Sequence, residues 1–346
     1  MKRIRIGALA AGVIVLFAAC SSSGSGTAKT GSSSGASSSS AKTPTNVTVQ
    51  VGINDPNKTN IAVLQYMPAK ITVEAGAPVD FVWDGAIEPH SVTFLPAGQS
   101  IDPATSDALF APTPAKGPID GTTLVNSGLL PRGPEAVAPM EVTFAKAGTF
   151  EFHCVIHPGM NGAVEVVAKG ASGVDTPAAV AQRAADDQAK YLAEGQKAEA
   201  DYTKKAPDST KNPDGSTTWK LGMGVTTENT DTLEFQTVPA AVKAGDTVTF
   251  INESGAPHTA SFFNDQPPIL DPSDPKADAP SPGPSPQTLA STGYFNTGTL
   301  PPDAPPGTGP PEAVRSFSFK VAKAGTYSYV CIFHVASGMA GQINAT

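Results

Sequence analysis

Apolar and polar residues alternate with a period of two in many short runs of this chain, and helical signals gather in one stretch only. Val47, Val49, Val51 and Ile53 alternate with polar neighbours, as do Trp219, Leu221, Met223 and Val225. This pattern predicts half-buried strands. Ile71 and Val73, then Val79, Phe81 and Trp83, continue it, and Phe150-Glu151-Phe152 before Cys154 answers Tyr327-Ser328-Tyr329 before Cys331. Gly and Pro turns separate the runs, which favours an all-β sandwich or barrel. The exception begins where Thr176 and Pro177 have the form of a helix N-cap and first helical residue. The stretch to Ala206 is rich in Ala, Gln, Lys, Asp and Glu, and its large apolar residues are Val180, Tyr191, Leu192 and Tyr202. So polar a helix reads as a semi-rigid spacer, laid on one domain through its tyrosines, with Gly195 as an interruption.

The strand pattern occurs twice. Ala75-Gly76 precedes the run 79–83 and then Glu88-Pro89-His90-Ser91; Ala244-Gly245 precedes 248–251 and then Ala256-Pro257-His258-Thr259. Asn126-Ser127-Gly128-Leu129-Leu130-Pro131 answers Asn296-Thr297-Gly298-Thr299-Leu300-Pro301, and Pro134-Glu135-Ala136-Val137 answers Pro311-Glu312-Ala313-Val314. The offset is 168 to 170 until seven extra residues between Pro301 and Pro311 raise it to 177. Two copies of one domain are therefore expected, 44–169 and 212–346, with a helical linker at 170–211. Each copy also carries a long irregular stretch, 96–120 and 265–287, of a length that is functional or mobile where it occurs in compact domains.

Composition narrows the class. Among 346 residues, Gly and Pro number 33 each, hydrophobic residues make up 40% and charged residues 16%, which describes a folded, turn-rich chain. The formal charge of −8 disfavours nucleic acid as a partner. Five His exclude an enzyme with several His-rich metal centres, and three Cys cannot all pair.

At the N-terminus, Lys2, Arg3 and Arg5 precede an apolar run, 6–19, too short to span a membrane and suited to an export signal, 1–19. Its end, Leu16-Phe17-Ala18-Ala19-Cys20, resembles the lipobox of bacterial lipoproteins, which implies a lipid on Cys20, although Phe17 departs from the aliphatic residue usual there. Ordinary cleavage after the Ala-rich site is the alternative. Eleven of the twenty residues 21–40 are serine, so 20–43 is expected to be a flexible tether that holds the head off a membrane.

Each copy places one His after a strand and, 64 or 73 residues later, a Cys-x-x-His followed by Met. The first reads Cys154-Val155-Ile156-His157-Pro158-Gly159-Met160, the second Cys331-Ile332-Phe333-His334-Val335-Ala336-Ser337-Gly338-Met339. Two imidazoles and a thiolate with a weak axial thioether are the donors of a blue-copper electron-transfer site. At these residues the chain resembles the cupredoxins, the plastocyanin-like and amicyanin-like proteins, over about three quarters of its length. The first loop spacing is similar to that of amicyanin, the second to that of plastocyanin. The resemblance implies two tandem Greek-key β-sandwiches and two type 1 coppers, with metal ligands His90, Cys154, His157 and Met160, then His258, Cys331, His334 and Met339. It implies that Ser91 and Thr259 bond across the ligand loops and that His157 and His334 expose a ring edge as the electron port. By the family's topology, the extra residues after Pro301 lie near the metal end of the second domain and shape a docking surface.

Alternatives carry less. Cys154 and Cys331 could form a disulfide in an oxidising compartment, but their His and Met neighbours would then have no role. His153 stands where copper oxidases and nitrite reductases place a catalytic ligand, but no further His remains to join it, and it reads as a surface strand residue. The expected protein is an electron carrier rather than an enzyme, exported and lipid-anchored to the outer face of the cell membrane, serving unidentified redox partner proteins, with nothing pointing to an oligomer. Copper storage, sensing or delivery would use the same donors; a copper oxidoreductase such as nitrite reductase is disfavoured by the His count.

Overall fold

In the first copy the alternating runs become β1 (Val47–Asp55) and β2 (Lys58–Met67), which form an antiparallel hairpin, followed by β3 (Lys70–Glu74) and β4 (Pro78–Val82). Then come β5 (Thr93–Phe94), β6 (Val125–Asn126), β7 (Met140–Thr143), β8 (Gly148–His153) and β9 (Asn161–Val167). Strands β2, β1, β4 and β7 lie side by side in one sheet, and β3, β9, β8, β5 and β6 in the other. After the hairpin the chain crosses to the other layer at β3 and returns to the first only for β4 and β7, and β1 with β4 and β3 with β9 run parallel. The protein is described here by a computed structural model that covers residues 46–346, apart from 102–105, 132–134, 267–268, 270–273, 282, 304–306 and 308. The export signal, the tether and Cys20 lie outside the described residues.

Helix α1 (Pro177–Lys204) leads to the second copy: β10 (Asp208–Lys211), β11 (Thr217–Thr226), β12 (Thr230–Phe235), β13 (Thr247–Asn252), β14 (Ser261–Phe262), β15 (Gln287–Leu289), β16 (Phe295–Asn296), β17 (Ser316–Val321), β18 (Gly325–Val330) and β19 (Ala340–Ala345). Strands β15, β17, β13, β11 and β12 make one layer, β16, β14, β18 and β19 the other. The protein is thus two β-sandwiches of all-β, Greek-key type. Each has its own core of inward-facing residues, centred on edge-to-face rings. Tyr66 and Phe81 meet Phe152 in the first, and Phe235 and Phe250 meet Tyr329 in the second, with centroids 4.7 to 5.1 Å apart.

The sandwiches are not separated by their linker. Strand β12 pairs antiparallel with β2, which fuses the front layers into one ten-stranded sheet. Tyr66, paired with Val51, and Phe235, paired with Met223, occupy matching places in the two hairpins. Counted from them, Ile61, Ala62 and Val63 match Thr230, Asp231 and Thr232. The observed pairs, Thr230 with Val63, Asp231 with Ala62 and Thr232 with Ile61, therefore relate the two sandwiches by a local two-fold centred on Ala62 and Asp231. All of these residues are buried.

Helix α1 starts as its sequence predicts, with the Thr176 hydroxyl accepting from the Ala179 amide and Pro177 at its first position. It is neither a spacer nor broken at Gly195. Val180 packs in the first core, Gly195 sits over Ile61 and Thr230, and Tyr202 is buried beside Gly222 and Gln236 of the second sandwich. A Cβ at Gly195 would lie 2.5 Å from Ile61 Cγ2, so glycine here permits close approach of helix to sheet rather than a break. The helix is a strap across the junction. Of its two tyrosines only Tyr202 is buried; Tyr191 is partly exposed.

Candidate metal centres

Each thiol follows the last residue or so of a back-layer strand, β8 or β18, where the chain leaves the sheet in a short loop. In the first loop the Cys154 amide donates to Met160 O at 3.0 Å and the Met160 amide to His157 O at 2.9 Å. The second loop closes in the same way, Cys331 to Met339 O at 3.0 Å and Met339 to His334 O at 3.1 Å. The distant imidazoles arrive from another segment: His90 exchanges backbone hydrogen bonds with Leu130, and His258 with Leu300. This assigns a purpose to the repeated Asn-x-Gly-x-Leu-Pro segment, which holds the first His of each set. Ser91 Oγ accepts from the Val155 amide and Thr259 Oγ1 from the Ile332 amide, each at 3.0 Å, as the resemblance implied. The Ser91 and Thr259 amides point at the thiols, 3.4 Å from Sγ.

The result is two convergent sets. His90, Cys154 and His157 place one ligand atom each within 4.8 Å of one another, and so do His258, Cys331 and His334. Within each set the two Nδ1 atoms stand 3.0 Å apart, and the thiol lies 3.5 Å from Nδ1 of His157 and 3.4 Å from that of His334. Met160 and Met339 are buried beside them. Both cysteines are free, so the disulfide alternative does not hold. Behind the imidazoles the backbone comes unusually close. Gly52, with φ +59°, and Gly224, with φ +73°, sit against Nε2 of His90 and His258, and a side chain at Gly52 would overlap the ring.

The surroundings differ. Site-one His157 is half-buried and borders a groove of about 240 Å³ lined by Leu64, Ile156, Pro158, Thr226 and Gly255. Enclosure and the positive charge of His334 lower its pKa to about 4. His334, expected to be an exposed port, is instead buried at 5% exposure by the first sandwich. Its Nε2 faces Glu88 Oε2 at 3.4 Å, and Glu88 Oε1 accepts from Ser337 Oγ at 2.5 Å. Burial pulls His334 down, but the negative neighbours Glu88, Cys331 and Asp231 outweigh it and hold it up at about 9. The thiols follow suit: burial raises Cys154, whereas at Cys331 His334 outweighs burial and the pKa is lowered. Burial, then the neighbouring imidazole, pushes His90 and His258 well below their usual range. Ser254 Oγ lies 2.7 Å from His258 Nε2, a contact the first set lacks an equivalent of among the described residues.

His153 is not brought to either set; it pairs with Asn161 Oδ1 across β8 and β9 at 2.7 Å. The described part of the insertion does lie at the metal end of the second sandwich, where the Asp303 amide donates to Ser254 O at 2.8 Å. Glu88, Ser337, Ser254, Gly52 and Gly224 were missed by sequence reasoning. For Glu88 a signal existed, since the repeat aligns it with Ala256.

A thiol, two imidazoles and a thioether, with the sulfur residues buried and the Nδ1 atoms of each set facing one another, fit copper: soft sulfur suits Cu(I) and imidazole suits both oxidation states. Residues 53–167 match the family described as copper binding proteins of the plastocyanin/azurin type. Over 111 residues, 32% of this chain, the protein is 32% identical to a plastocyanin of Scenedesmus fuscus and covers 85% of it. At the same identity and length it covers 57% of a chloroplastic plastocyanin of Chlamydomonas reinhardtii. Among solved structures, an oxidised amicyanin variant matches 35% of this chain and 82% of its own, with 20% identity and a TM-score of 0.23.

Proposed function

The chain belongs to the plastocyanin/azurin family of copper-binding proteins, and from that premise we propose that it is a two-centre blue-copper electron carrier, with one type 1 copper in each sandwich. The first centre is held by His90, Cys154, His157 and Met160, the second by His258, Cys331, His334 and Met339. The observation that carries this reading is that a His, a Cys and a second His converge in the same way in each copy of an internal repeat. Copper bound there would cycle by one electron, and a constrained donor set of mixed softness suits both of its oxidation states.

The chain's own residues keep that set constrained. Ser91 and Thr259 pin each ligand loop to the opposing segment, the backbone amides of the same residues are directed at the thiolates, and Gly52 and Gly224 let the backbone close behind the imidazoles. Burial of the cysteines and methionines keeps water away from the sulfur ligands. Each sandwich acts as one copper domain, 44–169 and 212–346. The N-terminal segment exports the chain, and a lipid on Cys20 tethers it to the outer membrane face, where it exchanges electrons with protein partners. No described helix is long and apolar enough to cross a membrane.

Copper loading of residues 44–346, which form one compact unit, tests the reading by metal stoichiometry and visible spectrum. Two coppers and an intense thiolate-to-copper band with reversible one-electron cycling are expected. A colourless Cu(I) form that surrenders its metal to apo-acceptors would instead make it a delivery protein.

A further inference from the structure

The two halves differ at three places that meet at one point. Where the first copy reads Glu88-Pro89-His90, the second reads Ala256-Pro257-His258. The second ligand loop has two more residues between His and Met than the first, and one of its residues is Ser337. His334 is sealed by the opposite sandwich while His157 borders a groove. The local two-fold explains the meeting. It lays the segment before His90 against the second ligand loop and the segment before His258 against the first. Glu88 therefore reaches His334, and on the other side Gly255, next to Ala256, lines the groove beside His157.

Glu88 is 7% exposed and both of its oxygens are engaged by the second sandwich, Oε1 by Ser337 Oγ at 2.5 Å and Oε2 by His334 Nε2 at 3.4 Å. Ser337 is itself anchored, its carbonyl accepting from Thr59 Oγ1 of the first sandwich at 3.2 Å. A buried carboxylate with both oxygens so placed has one evident role. It fixes the imidazole whose other nitrogen, Nδ1, stands 3.0 Å from its counterpart on His258.

We propose that Glu88 is a positioning residue of the second centre, contributed by the first sandwich, that orients His334 and selectively stabilises the oxidised state of that centre. It rests on the reading that both donor sets hold copper. A carboxylate behind a ligating histidine fixes its tautomer and raises its basicity. Its negative charge, in a site away from water, favours the more positive of two metal states. Among the described residues no carboxylate is bonded to His157: Ala256 stands at the place of Glu88, and Glu228 lines the same groove without pairing with the ring. The longer second loop thus carries Ser337 to the carboxylate, and the seam between the sandwiches becomes part of the second centre.

The test uses the full-length, copper-loaded protein, with each centre read alone in Cys331→Ser or Cys154→Ser backgrounds by spectroelectrochemistry and by Cu(II) competition titration. Glu88→Gln keeps the shape and removes the charge. It is expected to weaken Cu(II) binding at the second centre about tenfold. With Cu(I) binding unchanged, that is a rise of about 59 mV in its one-electron potential. The first centre's potential stays where it was. Ser337→Ala, which frees the carboxylate without altering charge, moves the second potential in the same direction by less and carries the test if Glu88→Gln fails to fold. An unmoved second potential, or equal movement at both centres, overturns the role of Glu88 while leaving the copper reading standing. Failure of the second set to take copper in any background removes both.

Discussion

His157 and His334 fill matching places three residues after their cysteines, yet burial leaves one at about 4 while three negative neighbours overcome burial and hold the other at about 9. Between them the donor residues are the same, and the hydrogen bonds that the Ser91 and Thr259 hydroxyls accept from the ligand loops are both 3.0 Å long. What differs is the wall. The first centre opens on a groove, and the second is closed by residues of the other copy. The donor residues match between the copies, whereas their surroundings follow the contact between the copies, which treats the two sets unequally wherever a residue such as Glu88 lacks a twin.

The comparison can be broken most directly at the thiols. Cys154→Ser and Cys331→Ser should each remove one copper and its visible band and leave the other intact, as measured by metal content and absorbance; loss of both from one substitution would show that the centres are not separate. Next in size, Gly52→Ala should abolish copper binding at the first centre and destabilise the chain by at least about 2 kcal/mol, since it adds positive-φ strain to an overlap with His90. Gly224→Ala should cost less, its nearest neighbour lying 2.9 Å away; denaturant melts with and without copper would rank the two.

The seam itself gives a pH signature. Burial raises Asp231 from the usual 3.8 to about 6; the Thr226 hydroxyl and His334 pull it down and Glu88 pushes it up. A raised carboxyl favours the folded state while it stays protonated, so this contribution is complete below about pH 4 and is lost as pH rises through about 6. Asp231→Asn should therefore add nothing near pH 4 and up to about 3 kcal/mol at pH 7, at 1.36 kcal/mol per pKa unit, in paired melts against the parent protein. The smallest effect sharpens the comparison. Moving the carboxylate, with Ala256→Glu in a Glu88→Ala background, should lower the potential of the first centre and raise that of the second, and unchanged potentials at both would mean that the wall does not set them.

Much of this was readable from residues alone. His90, Cys154, His157 and Met160 announce themselves because their order, with the same Cys-x-x-His spacing, returns at His258, Cys331, His334 and Met339. The strands were legible because period-two alternation marks one face of a sheet as buried. The same alternation says nothing about which strand stands at an edge or what pairs with it, so the β2 and β12 junction was invisible, and with it the burial of His334. Gly195 misled for a related reason. Propensity ranks glycine as a helix breaker, but that ranking is weaker than the gain from packing the strap tightly over Ile61 and Thr230. The difference between Glu88 and Ala256 could be seen in the aligned repeat, but only the two-fold shows what Glu88 faces.

The same junction has a consequence for each sandwich taken singly. In an excised half, β2 or β12 would be a bare outer strand with a row of unpaired backbone donors and acceptors, beside the apolar Ile61, Ala62 and Val63 in the case of β2, the kind of edge that recruits another chain. Because each copy meets the other through its own equivalent strand, either half released from its neighbour would present a surface already shaped to accept a second molecule of itself. Homodimerisation of the separated halves, through β2 on β2 or β12 on β12, is the expected outcome.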